Sequence, residues 1–393
     1  MAAEFPLTHS RGGPEPAPVR ARRWLGPFLA HELLVGLALW LPVPYPPTAE
    51  LRRSMSFAAQ SHFLWQWDAL WYREIARHGY VLAGMPRLAA TAFFPWVPLV
   101  LRAVGADGAL VVQQVLAGAI FWLLARRFQR WALLPRDQDR SLWLFAVNPA
   151  FIYYSVLYAE GWTLAAMLVS LELADRARFV GAGAASLVAG LTQAPGVLWG
   201  LVPLTALVQK LVGGTRRGWS GLLLWGGGTA VGLGLYMAYL QARFGAPLAF
   251  AAAQSRVWHG VWQWPWVGWF GPLWLLGRSA FSGHGVVRLA IFAMVSLLAV
   301  GLIRETWALA RSADRSWGRP LAVWAVAGLL LSLSFGFRLQ LQHSTVRFLS
   351  LYFPAYAGLA RGASRPLYAA VFGAMVAVGL FGGALFVHGW FYQ

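Results

Sequence analysis

Apolar stretches of roughly 17 to 25 residues, the length that crosses the hydrocarbon core of a bilayer, recur from Trp24 almost to the C-terminus. No other feature limits the fold as strongly. In lipid every backbone polar group must be satisfied within the protein, and for runs of this length the solution is the α-helix. The runs fill so much of the 393 residues that no sizeable soluble domain fits between them. With 59% hydrophobic and only 12% charged residues, the chain is far more apolar than a water-soluble core of this size needs. The expected class is an all-α polytopic membrane protein whose chemistry is confined to loops and helix ends.

If the N-terminus is cytoplasmic and each long run crosses once, spans fall at 24–44, 106–125, 141–157, 160–175, 179–195, 196–212, 219–242, 285–303, 320–337, 346–360 and 366–388, about eleven helices. Residues 1–23 form a cytoplasmic tail. The run that follows ends in LPVPYPP without a small-residue cleavage site, so it reads as a retained first span and not a signal peptide. A formal charge of +18 would suggest nucleic acid in a soluble protein. Here the basic residues lie between apolar runs, where they set orientation and meet anionic head groups, and no nucleic-acid partner is expected. Most of them, including Arg126, Arg127, Arg130, Arg176, Arg361 and Arg365, fall in the predicted inner segments. The chain has no cysteine, which excludes disulfides and thiolate metal sites, and its eight histidines show no HExxH-like spacing.

Two predicted outer segments, 45–105 and 243–284, are too long to be turns, and loops of that size carry function. In the first, Phe63, Leu64, Trp67, Leu70, Trp71 and Ile75 share one side of a helical projection while His62, Gln66, Arg73 and Arg77 share the other. This pattern predicts a helix lying in the membrane interface. The run TAFFPWVPLVLR at 91–102 is too broken by proline for a full span and is expected to enter the outer leaflet before the second helix. In the second loop, WQWPWVGWFGPLWLLG at 262–277 suits the head-group level.

Of fourteen carboxylates, only Glu50, Asp68, Glu74 and Glu160 fall on the predicted outer side. Asp68 sits among Trp65, Trp67, Trp71 and Tyr72, where aromatic walls lower the local dielectric and raise a carboxylate toward the range of a useful base. The competing role is capping of a helix that starts at Ala69. Glu160 follows NPAFIYYSVLYAE at a span end, where it either lines a polar cavity or starts a helix favourably. Glu32 beside His31 in the first span reads as a buried pair or a polar contact between helices. On the cationic side, FGFRLQLQHSTVRF places Arg338, His343 and Arg347 together, a cluster suited either to a phosphate group or to head-group anchoring. FGAPLAFAAAQSRVWHG offers Gln254, Arg256, Trp258 and His259 to a sugar, or forms an ordinary amphipathic loop.

WQWDALWYREIARHGY followed by AFFPWVPLVLR resembles the PIG-V-like mannosyltransferases of the GT-C superfamily, whose hallmark reads approximately WDAxWYxxIAxxGY then FFPxxP. In the same order, NPAFIYYSVLYAEG is similar to the family's Pro then Tyr-x-Glu segment, FGAPLAFAAAQSRVW to its Gly-x-Pro-Leu-x-Phe-x-x-x-Gln segment, and RFLSLYFP to its Arg then Phe-Pro segment. The similarity runs over roughly residues 60 to 360. LTQAPG at 191–196 departs from it, with Gln193 where the family often has arginine. The resemblance implies a seven-helix GT-C module, here 24–284 with outer loops 45–105 and 243–284, followed by C-terminal transmembrane helices over 285–393. It also implies an inverting, metal-independent transfer of a hexose, typically mannose, from a polyprenyl-phosphate donor, with Asp68 as the base. The lack of a DxD-type pair on the outer side fits that reading.

A lipid-phosphate leaving group needs positive charge and an acceptor hydroxyl needs its proton removed. The expected site therefore has Asp68 facing Arg347 across a cleft, with Arg338 or His343 assisting at the phosphate. Glu160, Tyr158, Gln254, Trp67, Trp71 and Tyr72 are expected to shape the sugar and acceptor pocket. No cofactor is expected, and the acceptor is a glycolipid, glycan or protein. Abundant Ala, Gly and Arg with a single lysine point to a GC-rich bacterial genome, hence to a plasma-membrane enzyme with an outward-facing site. Two other classes compete. A transporter or flippase would want inverted repeats, broken helices near the midplane and ionisable groups along a path, and a silent scaffold would bind a lipid-linked glycan or partner subunit without turnover.

Overall fold

The computed structural model describes residues 23–42, 66–131, 133–214, 218–276, 283–312, 317–337 and 344–388. They form an almost entirely helical bundle. Five helices are long and apolar enough to cross a membrane: α3 (Trp96–Arg130), α7 (Ala194–Val212), α8 (Trp219–Phe244), the Gly285–Arg311 part of α11 (Gly283–Arg311), and α15 (Arg365–Val387). Shorter apolar helices are α1 (Leu25–Trp40), α6 (Phe179–Thr192) and α12 (Gly318–Ser334). Outward-facing rows such as Leu29, Leu33 and Leu37 on α1 are 56%, 63% and 44% exposed. An apolar row at i, i+4 spacing left uncovered in this way is what lipid solvates, and the chain is an all-helical integral membrane protein.

The remaining elements are α2 (Asp68–His78), α4 (Pro135–Ala146), α5 (Ala159–Asp175), α9 (Ala249–Arg256), α10 (Pro265–Leu276), α13 (Thr345–Ser350) and α14 (Pro354–Ala360). A single two-stranded ribbon pairs β1 (Gly260–Trp262) antiparallel with β2 (Phe335–Phe337), Val261 opposite Gly336. The tightest helix pair is α6 against α8. There a Cβ on Gly190 would lie 2.6 Å from the Thr229 carbonyl, and one on Gly228 would run into the carbonyl of Gly183. Small residues let the two backbones touch, which in lipid replaces the hydrophobic drive that water supplies. Gly228→Ala is expected to push the helices apart at a cost of about 1–3 kcal/mol, read as a lowered thermal transition in detergent. An unchanged transition would refute the contact.

Two predicted spans are not continuous. The run 141–157 is helical only to Ala146 and then breaks. At the break Asn148 Oδ1 accepts from the Ala150 N–H at 2.9 Å and its Nδ2 donates to the Phe145 carbonyl at 2.7 Å. A 3-10 turn follows at Phe151–Tyr154. Freed carbonyls at membrane depth need partners, and α3 provides them: Gln113 Nε2 donates to the Tyr154 carbonyl at 2.7 Å and Gln114 Nε2 to that of Ser155 at 2.9 Å. Ser155 also donates to Glu32 at 3.1 Å and shares a 2.9 Å hydrogen bond with His31, so His31 and Glu32 in α1 make a polar contact between segments. The run 346–360 breaks likewise between α13 and α14, where Pro354 has no N–H to give the Ser350 carbonyl, which accepts instead from the Tyr356 hydroxyl at 3.2 Å.

In the first of the two long loops, the described residues 66–105 are largely helical despite their prolines. Pro95 precedes α3, which runs from Trp96 through a kink at Gly105 (φ 73°) to Arg130, so 96–102 and the second span form one bent helix. The predicted interfacial helix is present as α2, with Ala69, Leu70, Trp71, Tyr72 and Ile75 buried and Arg77 exposed. Phe63 and Leu64 lie outside the described residues. The two outer loops dock on each other: Thr91 Oγ1 donates to the Ala249 carbonyl at 3.0 Å and Trp258 Nε1 to that of Ala89 at 3.1 Å.

Candidate active site

The site forms where the two broken segments meet the start of α2. Trp67 adopts a left-handed φ of 51°, which turns the chain sharply so that Asp68 becomes the first residue of the helix. The Asp68 N–H donates to the Tyr158 hydroxyl at 3.1 Å, and that hydroxyl donates to the Gln66 carbonyl at 3.3 Å. The turn is thereby pinned to the residue just before α5. Asp68 does not cap its helix. Its Oδ2 accepts from Arg347 Nη1 at 2.7 Å, which corrects the capping alternative.

Arg347 is the hub. Its Nε forms an ion pair with Glu160 Oε1 at 2.9 Å, so one guanidinium stands between two carboxylates. The rings of Phe348, Tyr158 and Tyr153 lie 5.1, 5.3 and 5.6 Å from its guanidinium carbon. Such rings supply cation–π attraction and exclude water. The Glu160 side chain is 1% exposed and that of Arg347 7%, but Asp68 keeps 20%. Asp68 is therefore the carboxylate a substrate hydroxyl can reach.

Burial, reinforced by the negative charge of Asp68, holds the Tyr72 and Tyr158 hydroxyls well above the ordinary tyrosine range. Both stay neutral at physiological pH, so the groups here that can exchange charge with a substrate are the two carboxylates. Tyr154 ties the second broken segment to the first through a 2.9 Å hydrogen bond to Ser350 Oγ, and Ser350 donates back to the Arg347 carbonyl at 2.6 Å.

Beside this cluster Trp71 stacks on Phe93 at 5.2 Å and 10°, while Trp258 meets both edge-on at 5.3 and 5.7 Å. Tyr72 meets Phe93 edge-on at 5.7 Å. These rings form one wall built from both outer loops. Gln254 stands on the neighbouring α9 and joins no hydrogen bond or ion pair of the Asp68–Arg347–Glu160 cluster; its Oε1 is buried without a hydrogen-bond partner. Trp67 packs against the main core. Arg338 and His343 lie outside the described residues. Gln193, where the resemblance leads one to expect arginine, donates to Thr163 Oγ1 at 3.0 Å, one turn along α5 from Glu160.

Asp68 and Arg347, expected to face each other across a cleft, are in direct contact. At 2.7 Å, with both side chains largely shielded from water, opposite charges attract strongly. Tyr153 was not singled out in the sequence, although the aromatic run FIYYSVLY at 151–158 is the signal that marks it. Among the described residues no group of three or more His, Asp or Glu side chains is placed to hold a metal ion.

No protein-family model, no curated protein and no solved structure matches this chain.

Proposed function

We propose that the chain is an inverting glycosyltransferase of GT-C architecture that moves a hexose, mannose in the first instance, from a polyprenyl-phosphate carrier to an acceptor hydroxyl at the extracytoplasmic face. The observation that carries this reading is the buried contact between Asp68 and Arg347, set beside an aromatic wall at one end of the bundle. The other end is arginine-rich. Along α5 the span from Glu160 to Glu172 and Asp175 is roughly 20 Å at 1.5 Å per residue. There Arg126, Arg130 and Arg176 gather on Glu172. The positive-inside rule makes that end cytoplasmic and the Asp68 end outer.

The geometry suits a concerted exchange of charge. Asp68 Oδ2 takes the proton of the acceptor hydroxyl as the acceptor oxygen attacks the anomeric carbon. The bond from that carbon to the phosphate oxygen breaks on the opposite face, which inverts the configuration, and polyprenyl phosphate leaves with one more negative charge. Protonation removes the charge by which Asp68 holds Arg347. The guanidinium becomes available to the phosphate as the phosphate gains its second charge, without reorganising water. Glu160 keeps its ion pair with Nε and holds the fork in place during the exchange.

The test is direct. The purified full chain is incubated with polyprenyl-phosphate mannose carrying a labelled sugar, together with membrane lipid and glycan acceptors, and the products are identified by mass spectrometry. The expected result is a labelled acceptor and free polyprenyl phosphate. Movement of intact donor across proteoliposomes without a covalent product would replace this reading with a transporter.

A further inference from the structure

The second polar cluster, at the opposite end of α5, carries more positive charge than its own carboxylates can satisfy. Glu172 Oε1 receives Arg126 Nε at 3.1 Å and Nη2 at 2.8 Å, Arg130 Nη2 at 2.9 Å, and Arg176 Nε at 3.2 Å and Nη2 at 2.8 Å. That is five N–H groups on one oxygen, whereas both oxygens of a carboxylate together offer about four lone-pair sites. Arg130 also reaches Glu172 Oε2 at 2.5 Å and contacts Asp175 Oδ2. Asp175 Oδ2 further accepts from Arg127 Nη2 at 2.5 Å, and its Oδ1 accepts from Trp317 Nε1 at 2.8 Å. Arg126, Arg127, Arg130 and Arg176 thus face Glu172 and Asp175, four cations against two anions.

Two of these arginines are open to a ligand. The Arg176 side chain is 45% exposed and that of Arg126 21%. Both spend Nε and Nη2 on Glu172, and among the described residues nothing engages Nη1 of either. Arg126 lies over the ring of Trp122 at 5.0 Å, and Trp122, one turn back on α3, is 37% exposed on the outside of the bundle. An excess of guanidinium at the mouth of a membrane helix pair, flanked by an indole at the height of the lipid head groups, matches an anion that arrives with an acyl chain.

We infer that Arg126 and Arg176, with Trp122 beside them, form a binding site for the phosphate of an anionic phospholipid from the leaflet at the arginine-rich end. The lipid phosphate supplies the negative charge that Glu172 and Asp175 do not, and its proximal acyl chain runs along the outer face of α3 past Trp122. The site is separate from the Asp68 cluster and does not depend on the enzymatic reading.

Native mass spectrometry of the detergent-solubilised full chain tests it, with phosphatidylglycerol, phosphatidylcholine or inorganic phosphate added separately. The wild-type protein is expected to retain phosphatidylglycerol in preference to phosphatidylcholine. Each arginine near a membrane surface contributes about 1 kcal/mol, so Arg126→Gln and Arg176→Gln should each lower phosphatidylglycerol retention about fivefold. Arg130 continues to hold Glu172 in both variants. Equal retention of the two lipids by the wild-type protein overturns the inference, and that comparison stands even if a variant fails to fold. Binding of inorganic phosphate without retention of phosphatidylglycerol assigns the site to the free anion and overturns the lipid assignment. Retention unaffected by either substitution shows that the arginine network is purely structural.

Discussion

Asp68→Asn is expected to lower turnover by about 10² to 10⁴ while the thermal transition stays close to that of the unsubstituted chain. Asparagine keeps the size of the side chain and can still accept from Arg347 Nη1, but it cannot take a proton from an acceptor hydroxyl. Folding is spared for two structural reasons. The Asp68 side chain caps nothing, since α2 starts without a side-chain cap. Its removal also leaves Arg347 opposite Glu160, one cation against one anion, so no buried charge is stranded. The measurement pairs initial rates on polyprenyl-phosphate mannose with a thermal melt in the same detergent. Turnover within tenfold of the original would remove Asp68 from the role of base, and a large drop in the melt would contradict the charge count.

Arg347→Ala has the larger effect on the fold. It leaves Asp68 and Glu160 without their shared partner, and an uncompensated buried charge costs about 3–5 kcal/mol. It also empties the space between Tyr153, Tyr158 and Phe348 that the guanidinium fills. Arg347→Lys restores the charge but replaces the planar fork by a compact ammonium on a flexible stem, so it is expected to recover much of the stability and little of the rate. The sharper test is the double variant. Because Asp68→Asn removes one of the two stranded carboxylates, Asp68→Asn/Arg347→Ala should melt above Arg347→Ala alone. Strict additivity, or an Arg347→Ala chain that melts like the original, would show that the contact carries no coupling.

The spacing of apolar residues was enough to recognise a helical membrane protein and to mark the side that α2 buries, Leu70, Trp71 and Ile75, although the helix begins only at Asp68, with Gln66 and Trp67 outside it. Both interruptions were also written in the chain, as Asn148-Pro149 and Phe353-Pro354. Proline offers no N–H to continue a helical ladder, and Asn148 offers its side chain to the backbone in place of a helical bond. Apolar length alone hides these signals, since a broken segment sealed inside a bundle is as hydrophobic as a straight one. That is why 141–157 and 346–360 read as single spans. The bent α3 was hidden for the opposite reason: its prolines fall in the first turn, where they are tolerated, and the actual kink is at Gly105.

The candidate site divides in the same way. Asp68, Glu160 and Arg347 were identifiable one by one, because an ionisable group near a membrane helix end stands out against an apolar background. The pairing of Asp68 with Arg347 was expected only from the chemistry that the resemblance implies, since they are 279 residues apart and no local pattern links them, and nothing in the sequence showed that Glu160 shares the same guanidinium.

Composition and apolar length by themselves determined the solvent of this protein, its helical character and the short list of charged residues able to act at one end of it. Only the tertiary structure decided which side chains bridge the two broken segments and that a single guanidinium serves two carboxylates. Transfer to lipid is a sum over residues and can be read along a chain, whereas the pairing of buried charges depends on distances that exist only once the chain has folded.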